Sequence, residues 1–140
     1  MRAFLLLAAL ALSGCSFLDD TPDDFENARS LWSDRDVETY TMTLSRACFC
    51  LPESLGPFEV RVENGAIVSA MRDGQPVPAS DVLTVDALFD LLEDAYDEGA
   101  HSVRAEYDAA LGFPLSVSID YDEDIADEEI GYTVTDLSAD

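Results

Sequence analysis

The chain has 140 residues, 48% of them hydrophobic, with seven arginines, no lysine, thirty Asp and Glu and a formal net charge of −23. That length fits one domain with a real core. Charge of this sign repels nucleic acid and anionic lipid headgroups, so neither nucleic-acid binding nor an electrostatic membrane contact is expected.

Arg2 precedes the ten-residue apolar run Ala3 to Leu12, which has the layout of a secretory signal. The run is too short to span a bilayer as a helix, which needs about 20 residues. Leu12-Ser13-Gly14-Cys15 then resembles a lipobox, in which the cysteine thiol receives diacylglycerol and the peptide bond before it is cut. Residues 1–14 are accordingly expected to be a lipoprotein signal peptide, with Cys15 lipidated at the start of the mature chain. Acyl chains contribute about 0.8 kcal/mol per buried methylene and anchor without a transmembrane helix. Ser16, where an aspartate would favour retention at the inner membrane, points to the outer membrane facing the periplasm. The mature chain keeps six arginines against thirty carboxylates, a formal charge of −24.

Residues 15–21 read as a short acidic tether, and 22–140 as one domain. Thr21 and Pro22 supply an N-cap and a first helical residue, and Asp23, Asp24 and Glu26 complement the helix dipole. Phe25, Ala28 and Trp32 form its apolar stripe. From Val37 the period becomes two: Tyr40, Met42 and Leu44 share one face of a strand, and Thr39, Thr41, Thr43 and Ser45 the other. Asn64-Gly65 predicts a two-residue type I′ hairpin between Phe58–Glu63 and Ala66–Met71, in a register pairing Val62 with Ile67 and Phe58 with Met71. Asp73-Gly74 and the prolines at 76 and 78 are expected to end the sheet.

Thr84 caps a second helix with the stripe Val85, Leu88, Phe89, Leu92, Ala95 and Tyr96, ending at Gly99. Three further alternating segments follow, around Val103–Tyr107, Leu115–Tyr121 and Ile130–Val134. The expected fold is therefore α+β, helix-β-β-β-helix-β-β-β. Its antiparallel strands, in one six-stranded sheet or two three-stranded sheets, are packed by two amphipathic helices.

Two segments carry candidate chemistry. Cys48 and Cys50 have C-x-C spacing, and in an oxidising compartment two such thiols form a disulfide if the chain bends there. Free thiols and a redox or metal role are the alternatives. In Asp120-Tyr121-Asp122-Glu123-Asp124, alternating carboxylates resemble the opening of a calcium loop, with Asp127 and Glu128 as further ligands. Ile125 and Gly131 stand where an EF-hand-type loop needs Gly and Glu, and a solvated acidic turn is the alternative. His101 is the only histidine, and neither a phosphate loop nor a nucleophile elbow is present. No catalytic residue and no resident cofactor are expected.

Tyr40 to Cys50 ending in Arg46-Ala47-Cys48-Phe49-Cys50, Val60 to Val68 around Asn64-Gly65, Leu88-Phe89-Asp90-Leu91-Leu92, and Tyr107-Asp108-Ala109-Ala110-Leu111-Gly112-Phe113-Pro114 leading to Ile119-Asp120 and Asp127-Glu128-Glu129 resemble the DUF 6174 family of bacterial exported proteins. The resemblance spans roughly residues 30 to 137. It implies a small envelope domain without a defined reaction, in which the cysteine pair and the Gly-Phe-Pro turn belong to the design. The chain is thus expected to be a non-catalytic, lipid-anchored envelope lipoprotein, a binding or structural module with an envelope protein partner of unknown identity, with a calcium-binding envelope domain or a thiol-disulfide redox protein using the C-x-C pair as alternatives.

Overall fold

The computed structural model describes residues 20–140. Helix α1 (Pro22–Arg35) starts as its sequence requires: the Thr21 side chain accepts the Asp24 N–H, and Pro22 occupies the first turn, where its missing N–H costs nothing. Phe25, Ala28 and Trp32 are its buried residues. Helix α2 (Val85–Glu98) is capped by Thr84, whose hydroxyl accepts the Ala87 N–H, and ends at Gly99 in the left-handed region. It buries Val85, Leu88, Phe89, Leu92 and Ala95.

The strands are β1 (Tyr40–Cys48), β2 (Phe58–Glu63), β3 (Ala66–Arg72), β4 (Gln75–Pro76), β5 (Ser102–Tyr107), β6 (Pro114–Asp120) and β7 (Ile130–Ala139). All pair antiparallel in one sheet of order β4-β3-β2-β1-β7-β6-β5. The domain is α+β, with each group of strands a meander and the two joined at the β1–β7 seam.

Two details differ from the expected pattern. Asp73-Gly74 does not end the sheet. Both residues have positive φ, 51° and 73°, and turn the chain into β4, where Pro76 opposite Met71 is tolerated because the strand is an edge. The second difference is register. Val62 faces Ile67 as expected, but Glu59, not Phe58, lies opposite Met71, because the β2–β3 register shifts after Arg61 and Val68 is left as the extra residue. A one-residue slip exchanges the two faces of a strand. Ala70 therefore enters the core in place of Met71, and Val68 is 53% exposed.

The core lies between the helices and one face of the sheet. Tyr40, Met42, Leu44, Phe58, Val60, Val62, Val117, Ile119, Tyr132 and Val134 meet the α1 and α2 stripes there. Trp32 stands edge-on to Tyr40 and Phe113, and its Nε1–H donates to Asp86 Oδ1 at 3.2 Å. Arg29 on α1 reaches Asp90 and Glu93 on α2, both at 2.8 Å, tying the helices side by side. No helix among the described residues is long and apolar enough to cross a membrane.

Candidate functional site

The face of the sheet opposite the helices carries cross-strand rows in which Ser, Thr and small residues alternate with a few charged ones. Directly opposed residues of antiparallel strands share a face. One row runs Arg104, Ser118, Gly131, Ala47 from β5 to β1, the next Glu106, Ser116, Thr133, Ser45, and a third Thr135, Thr43, Glu59, Met71 from β7 to β3. Alternation explains most of this, since the positions other than Ala47 neighbour core or partly buried residues along their strands.

A groove of about 460 Å³ lies on this face at the end where β1 stops and β7 starts. Its floor is made by Ala47, Gly131, Ser116, Ser118 and Thr133, and its walls include Phe49 and Cys48 on one side and Ala126 and Glu129 on the other. The floor is low because its side chains are small. Gly131 is tightly seated: a Cβ there would meet the Val117 carbonyl oxygen at 3.1 Å.

The groove brings the two sequence-identified segments together. Strand β1 ends at Cys48, the chain bends through Phe49, and Cys48 and Cys50 form a close pair with Cα atoms 5.3 Å apart, within disulfide range. The bend turns Phe49 outward, leaving it 83% exposed, and Leu51 follows at 65%. Phe49 is thus a groove-lining aromatic with most of its surface open to solvent. Across the groove is the loop 121–129, with Ile125 50% exposed among its carboxylates.

The calcium-like alternation is only partly realised. Asp122 Oδ1 accepts the Asp124 N–H at 3.0 Å, so one carboxylate braces its own turn. Among the described residues, no group of three or more His, Cys, Asp and Glu side chains is arranged to hold a metal ion. Asp120 Oδ1 and Glu128 Oε1 are nevertheless shielded from solvent with no hydrogen-bond partner. The Tyr121 phenol is pushed up from its ordinary pKa, first by burial and then by the carboxylates of Glu98, Asp94 and Glu128. His101 is half exposed, with Nε2 3.7 Å from Glu123 Oε2, on the rim of this loop.

A second cluster lies at the entry to the domain. Asp20 Oδ2 accepts both the Tyr96 and Tyr107 hydroxyls at 2.6 Å, and the Asp20 N–H donates to the Val103 carbonyl at 3.1 Å. Burial raises the Asp20 pKa, the two tyrosine hydrogen bonds lower it, and Asp24 raises it again, for a net upward shift. The last part of the acidic segment is thus docked on edge strand β5. The signal segment 1–14 and Cys15 lie outside the described residues.

Phe49 and Asp20 were not evident as site residues from sequence. Phe49 had one signal, a bulky aromatic between two cysteines at the point where alternation breaks. Asp20 had none, because its tyrosine partners are far away in the chain.

No curated protein and no solved structure matches the chain. A family model described as a family of unknown function, DUF6174, matches residues 24–139. That span covers both helices but for Pro22 and Asp23 of α1, all the strands described and every residue of the groove, and the chain belongs to this family.

Proposed function

We propose that the chain is a lipid-anchored module of the bacterial envelope, held through Cys15 at the outer membrane facing the periplasm, that binds an envelope protein partner on the open face of its sheet and is not an enzyme. The observation that carries the reading is the groove between the Cys48–Cys50 bend and the 121–129 loop, flanked by exposed Phe49. In this reading Cys48 and Cys50 form a structural disulfide that fixes the bend and so aims Phe49. The signal Arg2 to Leu12 with Cys15 supports the anchoring.

Growth with labelled palmitate tests the anchor: wild type takes up label and fractionates with the outer membrane, and Cys15→Ser does neither. Photoreactive residues on the open face test the binding surface. Label in the Cys15→Ser variant, or crosslinks only from the helix face, would contradict the proposal.

The shielded, unpartnered oxygens of Asp120 and Glu128 favour a second reading, in which calcium draws the loop carboxylates together. Asp120, Asp122, Asp124, Asp127 and Glu128 would then be its ligands. A rise in melting temperature at millimolar calcium, lost in Asp120→Asn, would support it, and no response would remove it.

A further inference from the structure

We infer that the groove takes an arginine-bearing extended segment of the partner protein, with a guanidinium stacked on Phe49 and paired with the carboxylates of the 121–129 loop. This rests on the reading of the open face as a binding surface and names what it binds.

Three observations converge on that chemistry. The floor, Ala47, Gly131 and Ser118 with Ser116 and Thr133 in the next row, is open to close approach by an extended chain. Hydroxyls there can meet backbone amides and carbonyls without discriminating between side chains. The wall residue Phe49 presents an aromatic ring at 83% exposure, a side chain that is otherwise costly to leave in water. The loop side supplies a carboxylate: Glu129 lines the groove beside Ala126, in a loop that also carries Asp122, Glu123, Asp124, Asp127 and Glu128.

An exposed aromatic ring and a carboxylate lining one groove, Phe49 and Glu129, are complementary to a guanidinium. Arginine stacks on the ring through its planar face and meets a carboxylate through two parallel N–H donors, and lysine can do only part of this. A purely apolar ligand leaves the carboxylates without a partner, and an anionic one is repelled. A second copy of the chain is disfavoured by the net charge of −23 that each copy carries. Its Arg29 and Arg61 are also already committed, to Asp90 and Glu93 and to Glu63 and Asp140.

The test uses the full chain in detergent and a fluorescently labelled peptide alternating arginine and serine, read by anisotropy. The peptide is expected to bind, and its lysine counterpart more weakly by about threefold. Phe49→Ala should weaken binding by about three- to fivefold, the scale of an exposed cation–π contact. Ser118→Trp and Thr133→Trp, at exposed positions on the floor, should block it. Glu26→Gln with Asp34→Asn removes two charges from α1, away from the groove, and should leave binding nearly unchanged. Equal weakening by the α1 variant, equal binding of a glutamate-serine peptide, indifference to all three groove variants, or no binding each overturns the inference. A photoreactive residue at Ser118 that captures an envelope protein through a segment lacking arginine overturns the arginine inference while leaving the binding surface in place. Capture from no open-face position removes both.

Discussion

The hydroxyl oxygen of Tyr40, the first residue of β1, accepts the backbone N–H of Val85, the first residue of α2, at 2.9 Å inside the core. The first N–H groups of a helix have no partner within it. Here a buried phenol from the sheet meets one of them, fixing where α2 begins relative to β1. Tyr40→Phe should leave that donor unsatisfied and cost about 1–3 kcal/mol in denaturant unfolding.

The same bond makes an alkaline prediction. Burial pushes the Tyr40 pKa up to about 12, against the lowering effect of the Val85 hydrogen bond. The folded protein holds this proton to higher pH than the unfolded chain does. The contribution is therefore intact below about pH 10, the ordinary tyrosine value, and lost as pH rises through about 12. Unfolding followed over that window should be less steep in pH for Tyr40→Phe than for wild type, and identical slopes would count against the assignment.

Asp20 ties the entry segment to Tyr96 and Tyr107. Asp20→Ala removes the acceptor for two hydroxyls and should cost about 1–2 kcal/mol, with hydrogen exchange speeding up along β5. Because the folded-state pKa is raised, the titration of Asp20 favours folding most below the ordinary carboxylate range, and that advantage fades as pH rises through the raised value. Asp20→Asn keeps an acceptor without the charge. Its melting temperature relative to wild type should climb as pH increases from about 4 to 7.

Gly112 has φ +85°, and a Cβ there would come within 2.4 Å of the Ala28 carbonyl oxygen on α1. No movement of a flexible side chain relieves a clash with backbone. Gly112→Ala should cost about 2–4 kcal/mol, from positive-φ strain together with displacement of α1. A measured loss below about 1 kcal/mol would mean that the turn and helix are not packed this closely.

The Cys48–Cys50 pair closes so small a ring that loop entropy assigns it roughly 1.5 kcal/mol. Reduction, or Cys48→Ser with Cys50→Ser, should leave the fold intact and lower the melting temperature only slightly. The larger effect is expected at the groove, where Phe49 is no longer held outward. A thiol count showing two free cysteines in protein taken directly from the envelope would contradict the disulfide.

Much of the architecture was legible because local signals agreed with the tertiary outcome. Thr21-Pro22 and Thr84 marked the helix starts, the stripes of α1 and α2 became the buried faces, and Asn64-Gly65 turned as its φ preferences dictate. Where reading failed, the deciding contact was non-local. Nothing in Val68 announces a bulge, and its effect is to exchange Ala70 for Met71 in the core. Pro76 argued against a strand until the edge position made its missing N–H harmless. The groove was hidden for the same reason, since Phe49 and Glu129 become neighbours only through the β1–β7 pairing of Cys48 with Ile130.

Photo-crosslinking in intact cells decides whether the open face is the binding surface proposed above. A photoreactive amino acid placed singly at Ser118, at Thr133 and, as the control, at Glu26 on α1 samples the open face and the helix layer. A discrete adduct is expected from Ser118 and Thr133 and none from Glu26, with the adduct reduced about three- to fivefold in the Phe49→Ala background. Adducts from Glu26 alone, or adducts from Ser118 that survive Phe49→Ala undiminished, would contradict the proposal.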